Sequence, residues 1–493
     1  MRILLLMLPV LMMILLIAAA ALLAAVLILV AVLLVRTLTF NPKPQPQKER
    51  GEVAVDQDAA VNALQKLVQC KTVSYNDSSL EDEEEFQKLI GMLPGLYPRV
   101  FDVCSFQELP DRALLLRWPG KSDAAPSVMM AHYDVVPVNE ESWEKPPFAG
   151  IIEDGVLWGR GTLDTKVTFN GVLSAANHLI AKGFVPENDI YFAFSGGEEI
   201  NGPGAVNIVN YFKDHHIQPA LVVDEGGAVV ENVFPGVKEP CGLIGIAEKG
   251  MMNVQYTVRS SGGHASAPLP KTPVTTLAKA CRRIVEKPFK MQVTKPAAEM
   301  FDTLGRHSSF ALKLVFANLW LFKPVLDLLC KKSGGEMNAL LRTTTAFTMM
   351  EGSNARNVIP AEAKLVSNMR LNPADSVASA KAYLKKVVND EDVEITVLES
   401  FEPSPISETG CESWDKVATA VSQTWPGCIV APYLMVQCSD SRHYRDLSNH
   451  VYRFSAMDMT AEERKSIHGN NERIRLETVG RAVEFYIRLM EQC

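Results

Sequence analysis

Seven side chains suited to holding a cation and moving a proton are scattered through this 493-residue chain. They are His132 and Asp134 in MAHYDVV, Asp164 in WGRGTLDTK, Glu198 and Glu199 in FSGGEEI, Asp224 in LVVDEGG and His468 in SIHGNNE. On a strand, residues i and i+2 share a face, so His132 and Asp134 can point together, with the carboxylate orienting a ring that binds metal. Alone, such a pair is read equally well as structural, and Asp164 as a turn aspartate capping the helix that follows Lys166. The set as a whole reads differently. Four or five nitrogen and oxygen ligands without a thiolate suit Zn²⁺, with Mn²⁺ or Co²⁺ as substitutes. A carboxylate able to bridge allows two ions about 3.5 to 4 Å apart, which acidify a shared water and polarise a carbonyl. The adjacent glutamates then have separate tasks. One binds metal, and the other accepts the water proton and returns it to a leaving amine.

Three of these motifs end short apolar runs, VMMA, IYFAFS and LVV, which alternate with helical patterns over VTFNGVLSAANHLIAKG and GAVNIVNYFKDH. That alternation predicts an α/β fold, a largely parallel sheet covered by helices, whose ligands gather at the carboxyl ends of the strands. From about residue 248 the pattern changes to period-2 strands and two helices, which predicts an inserted α+β domain. The expected division is an apolar leader over 1–36, a linker over 37–52, a catalytic domain over 53–247 and 372–493, and a lid over 248–371. Within the insertion, residues 308–330 are apolar but interrupted by Lys313, Lys323, Pro324 and Asp327, and read as a buried or interface helical hairpin rather than a lipid contact.

Ile3 to Val35 carries no charge and is bracketed by Arg2 and Arg36. Its length exceeds both a signal-peptide core of about 7 to 15 residues and the roughly 20 that span a bilayer, so a signal-anchor fits best. The alanines of 18–25 also offer cleavage sites. Either outcome sends the chain into the secretory pathway, as a secreted or a membrane-anchored protein. Residues 39–49, rich in Pro and Gln, read as an extended linker. A net charge of -8 and a pI near 5.7 argue against nucleic acid as a partner. Nine cysteines without a CxxC pair argue against a thiolate zinc site, although the compartment permits disulfides. Asn76 heads the one glycosylation sequon, and the acidic run 81–85 caps and solvates the helix that follows it.

MAHYDVVPV, WGRGTLDTK, GGEEINGPGA, VVDEGG, SGGHASAP, NVIP and HGNNE, in this order from about residue 60 to the C-terminus, resemble the motifs of the di-zinc aminoacylase and carboxypeptidase family. That family includes acetylornithine deacetylase and succinyl-diaminopimelate desuccinylase. AEKGMMN, RTTTAFT, NLWLFKP and SDSRHY are similar to a secreted branch that makes and hydrolyses N-fatty-acyl amino acids, while vacuolar carboxypeptidase S shares the general layout. The resemblance implies two Zn²⁺ ions, with His132 and Asp224 on one, Glu199 and His468 on the other, and Asp164 bridging. It implies Asp134 orienting His132 and Glu198 as general base. In the family a cis peptide bond follows the bridging aspartate, usually before a second aspartate; here Thr165 takes that place. The lid would be the surface of a homodimer, with His264 stabilising the oxyanion, Asn357 and Arg370 holding the substrate's carbonyl and carboxylate, and Arg442 joining them. The implied reaction is hydrolysis, or reverse condensation, of the amide between a fatty acid and an amino acid through zinc-activated water. The apolar insertion would line a channel for the acyl chain. A peptide carboxypeptidase or dipeptidase is the alternative, and an inactive carrier of N-acyl amino acids a third reading.

Overall fold

A computed structural model describes residues 2–45 and 51–493; of the expected linker, residues 46–50 lie outside the described residues. The chain opens with helix α1 (Arg2–Leu38), whose Pro9–Leu38 portion is long and apolar enough to cross a membrane, with a mean hydropathy of 3.2. The linker beyond it is strapped to the body: Asn41 O accepts from Arg306, Lys43 pairs with Asp302 at 2.7 Å, and the Gln45 side chain accepts from Val430 N–H at 3.0 Å.

After α2 (Gln57–Val68), the large domain lays down β1 (Ser105–Leu109), β2 (Ala113–Trp118), β3 (Ser122–His132), α3 (Lys166–Ala181), β4 (Asn188–Ser195), α4 (Gly204–Asp214), β5 (Leu221–Val230) and β6 (Cys241–Glu248). The lid follows with β7 (Gly250–Arg259), β8 (Gly263–His264), α5 (Pro273–Glu286), α6 (Lys295–Gly305), α7 (Phe310–Ala317), α8 (Leu319–Ser333), β9 (Thr344–Glu351), β10 (Val358–Ile359), β11 (Glu362–Leu371), α9 (Val377–Val388) and β12 (Glu394–Phe401). The chain then returns through β13 (Ile429–Met435), β14 (Val451–Met459) and α10 (Leu476–Met490).

The large sheet runs β1-β2-β4-β3-β5-β14-β6-β13, with parallel pairing of β3 to β4 and β5, of β5 to β14 and of β6 to β13. Its inner strands are apolar over their buried lengths, as in Val128–Ala131 and Ile190–Phe194, because both faces are covered there, while the edge strand β1 stays largely exposed. On β3, Met129 and Ala131 join the core under α2, α3 and α10, while Val128 and Met130 join the core under α4. On β4, Phe192 and Phe194 face the first core, and Tyr191 and Ala193 the second. The sheet is therefore clamped from both sides. Its strand ends hold their loops in fixed positions.

The lid sheet is antiparallel, in the order β9-β11-β7-β12, and α5 and α9 cover one face through Leu277, Ala280, Ala380 and Leu384. Its membership differs from the division at residue 371. The fourth strand, β12, and the covering helix α9 come from beyond that point, because the apolar side chains of 377–397 pack against β7. Conversely, α6 packs with the large core through Ala297, Met300, Phe301 and Leu304. Of the two readings of the 308–330 hairpin, burial within the chain is met only in part: Phe316, Ala317 and Cys330 turn inward, but Phe310, Trp320 and Leu328 stay more than half exposed.

All nine cysteines are free thiols. Asp82 caps the 83–96 helix, accepting from Glu84 N–H, while Glu81 and Glu83 pair with Arg112, so the acidic run is a cap and ion-pair face. Asn76 is exposed in a turn.

Candidate active site

β3 ends in His132, and two residues on Asp134 lies fully buried below the turn that follows β4. That turn depends on glycine: a Cβ at Gly196 would stand 2.7 Å from the Tyr133 ring. The Asp134 carboxylate accepts the backbone N–H groups of Glu198 and Glu199 at 3.1 and 3.2 Å, so the buried anion fixes both glutamates. Asp134 also meets His132, whose Nδ1 lies 3.0 Å from the Asp134 carbonyl oxygen. The ring's Nε2 is thereby turned the other way, 3.1 Å from Asp164 Oδ1 and 3.3 Å from Glu225 Oε1.

Asp164 divides its two oxygens. Oδ1 faces His132, while Oδ2 lies 3.0 Å from Nε2 of His468, which is itself 3.1 Å from a Glu199 oxygen. The Asp164–Thr165 peptide is cis, so threonine at 165 keeps the geometry expected there. The loop carrying Asp164 hangs from Glu472, four residues after His468. This buried carboxylate accepts from the backbone N–H groups of Gly161, Leu163 and Asp164, at 3.1, 2.7 and 3.2 Å, and pairs with buried Arg160 at 2.7 Å.

At one position the geometry differs from the expectation. Asp224 was expected to share a metal ion with His132, but its carboxylate accepts from Ser441 N–H at 2.9 Å, beside Asp440, and it is the neighbouring Glu225 that lies 3.3 Å from the His132 ring. Consecutive side chains along a strand point to opposite sides, so only one of this adjacent pair in β5 can reach the cluster. Glu225 and Glu472 are the two residues the sequence reading missed. Glu225 stands beside Asp224 with no local sign of which of the two points inward, and Glu472 is signalled only by its place in HGNNE.

The substrate-side residues are dispersed. His264 is exposed on β8, its ring 2.7 Å from Ser266 Oγ, and Asn357 lies beside it, accepting from Ala265 N–H at 3.0 Å. Arg370, at the end of β11, donates to Cys438 Sγ at 2.9 Å. Arg442 is buried, donates to Ser439 O at 2.7 Å and Asn201 Oδ1 at 3.0 Å, and lies over the Phe401 ring. It therefore supports the loop just after Glu199.

Burial dominates the electrostatics. It raises Glu198 well above the usual carboxylate range, against the attraction of His132, and pushes Glu225 up to about 8. Burial also raises Glu199 and, with Asp440 beside it, Asp224. Asp164 goes the other way: hydrogen bonds from His132 and His468 outweigh its burial and lower it. Hydrogen bonds to Asp164 and Glu199 lift His468 to about 11. Four carboxylates crowded with two imidazoles call for positive charge. The donor atoms of His132, Asp164 and Glu199, and those of His132, Glu198 and Glu225, lie within 4.8 Å of one another, a spacing that suits ligands around a cation. Oxygen and nitrogen donors with Asp164 placed between two histidines fit a pair of divalent ions.

Residues 128–492 match Peptidase family M20/M25/M40. The chain is 34% identical over 473 residues to an N-fatty-acyl-amino acid synthase/hydrolase of Xenopus tropicalis, covering 94% of this chain and 92% of that protein. It is also 34% identical over 436 residues to a protein of Dictyostelium discoideum named "Probable carboxypeptidase S-like 2", covering 87% and 84%. Among solved structures, the M20 family metallo-carboxypeptidase Sso-CP2 from Sulfolobus solfataricus superposes with a TM-score of 0.64 at 18% identity, over 88% of this chain and 98% of that one.

Proposed function

The chain belongs to peptidase family M20/M25/M40 and is an amide-bond hydrolase, and we propose that the amide it works on joins a fatty acid to the nitrogen of an amino acid. The observation that carries the chemistry is the pair of donor groups that share His132, one including Glu198 and the other Glu199. The acyl-amino-acid substrate is supported by the near full-length likeness to the Xenopus tropicalis protein. The reaction runs as hydrolysis or, where fatty acid and amino acid accumulate, as condensation.

Two Zn²⁺ ions would be held by His132 with Glu225 and by His468 with Glu199, with Asp164 between them; Glu225 takes the role first expected of Asp224. When bound, the ions supply an acidified water and polarise the scissile carbonyl. Glu198, whose burial raises its carboxyl well above the usual carboxylate range, would accept the proton of the attacking water and return it to the departing nitrogen. Asp134 holds the Glu198–Glu199 turn and keeps Nε2 of His132 aimed at the centre. His264 and Asn357, side by side on the lid, hold the carbonyl oxygen in a homodimer joined through the lids, and Arg370 with Arg442 holds the amino-acid carboxylate, which a guanidinium fork suits. α1 lies in a bilayer, with the catalytic domain on the lumenal or extracellular side.

Oleoyl-phenylalanine and a blocked dipeptide, each assayed with and without chelator and with Glu198→Gln, test this reading. Turnover of the acyl amino acid, abolished by chelator and by Glu198→Gln, is expected. Turnover of the dipeptide alone would favour a peptide carboxypeptidase, the reading to which the Dictyostelium likeness points. Chelator-insensitive turnover would sink the metal mechanism.

A further inference from the structure

α1 is tethered to the body through the α7–α8 hairpin. Nε and Nη2 of Arg36 both donate to the Ala317 carbonyl, at 3.1 and 2.9 Å, satisfying an end carbonyl of α7. At the α7–α8 junction, Asn318 Nδ2 donates to Leu33 O and to Thr37 Oγ1, both at 3.3 Å. Arg306 stacks over the Phe40 ring at 4.3 Å and donates to Asn41 O. The junction is thus pinned to the last turn of the apolar helix, at a level that begins inside its Pro9–Leu38 span.

The hairpin that starts from this level is apolar on the outside. Leu321, Val325, Leu328 and Leu329 recur at i, i+4, i+7 and i+8 along α8, which makes one stripe. With Trp320 and Phe310 they are between 36% and 67% exposed. The inner face is already filled: Phe316 packs on Phe234 and Phe301, with ring centroids 4.7 and 5.6 Å away. Lys323 and Lys332 are exposed along the same helix, and exposed Lys331 pairs with Asp327 at 2.7 Å. An apolar stripe with a tryptophan and lysines at its margin is the composition of a helix lying in a membrane interface. A soluble surface rarely leaves such a patch open.

We propose that the α7–α8 hairpin is a second membrane contact, lying in the headgroup and acyl boundary of the bilayer that α1 enters. Trp320, Leu321, Val325, Leu328 and Leu329 insert, and the lysines reach back to lipid phosphates. The inference rests on the placement of α1 in a bilayer. The contact holds the catalytic domain against the surface where N-acyl amino acids and other amphiphiles concentrate.

The test uses the full chain reconstituted in phosphatidylcholine and phosphatidylglycerol liposomes, with and without bromine on shallow acyl carbons. Flotation reports whether α1 is embedded, independently of any substrate. Tryptophan emission of the native chain minus that of Trp320→Phe isolates Trp320. We expect brominated lipid to quench this difference at least twofold, and Leu328→Ser with Leu329→Ser to reduce the quenching while the protein still floats. Flotation without quenching overturns the docking alone, including where cross-linking shows the stripe buried between two copies. Failure to float overturns the placement of α1 and the docking with it. Neither result touches the amide chemistry, which activity in detergent reads separately.

Discussion

Glu198→Gln keeps the side-chain shape and the backbone bonds to Asp134 but removes the proton acceptor. It is expected to retain the native metal content by elemental analysis and to lose about 10²- to 10⁴-fold in kcat. Glu199→Gln touches the His468 and Asp164 side, so under the proposed two-ion assignment metal content should fall by about half before turnover is considered. The same comparison decides between neighbours on β5. Glu225→Gln should lower metal content, because this carboxylate faces His132, whereas Asp224→Asn should leave metal content unchanged and chiefly lower the melting temperature through its buried contact with Ser441. Loss of metal in Asp224→Asn with retention in Glu225→Gln would reverse the assignment. His132, Asp134 and Asp164 were readable as candidates because HxD and a glycine-flanked aspartate are local patterns. Glu225 was not, since the sequence shows two acids side by side and no sign of which one points inward.

At the scale of elements, the loop that carries Asp164 and the segment that carries His468 are one unit held by Glu472. Removing its charge leaves Arg160 buried and unpaired and weakens the bonds to Gly161, Leu163 and Asp164. Breaking a buried pair in this way costs about 3 to 5 kcal/mol. Glu472→Gln should lower the urea midpoint by a corresponding amount and weaken metal binding, while an exposed control such as Glu84→Gln should do neither. Urea unfolding and metal titration of both variants check this. The strands and helices here were legible because each is buried on a regular period: alternate β3 residues enter opposite cores, and α3 is apolar along most of its length. The lid boundary was not legible. Nothing local distinguishes β12 from a strand of the large sheet until it pairs with β7.

For the whole molecule, the buried acids set a pH dependence that metal should remove. Glu225 is raised from 4.5 to about 8, so between those values the folded metal-free protein binds more protons than the unfolded chain, and stability falls as pH rises. His468, raised from 6.5 to about 11, acts in the same direction: its contribution is complete below 6.5 and is lost as pH climbs toward 11. Melting temperature in chelator should therefore drop between about pH 5 and pH 8, more shallowly in Glu225→Gln, and the drop should shrink when Zn²⁺ is restored. A flat profile in chelator would contradict the buried-acid account.

The apolar N-terminal segment, the βαβ alternation, the inserted lid and the supply of nitrogen and oxygen donors follow from the amino-acid order alone. These are written in periods of two to four residues and in short motifs. Three features come from packing at long range: Glu225 rather than Asp224 meets His132, Glu472 hangs the Asp164 loop across a separation of 309 residues, and the 308–330 hairpin is tied to α1 with its outer face open. Orientation at a strand end and the covering of an apolar face depend on partners far away along the chain. Local periodicity carries no record of them.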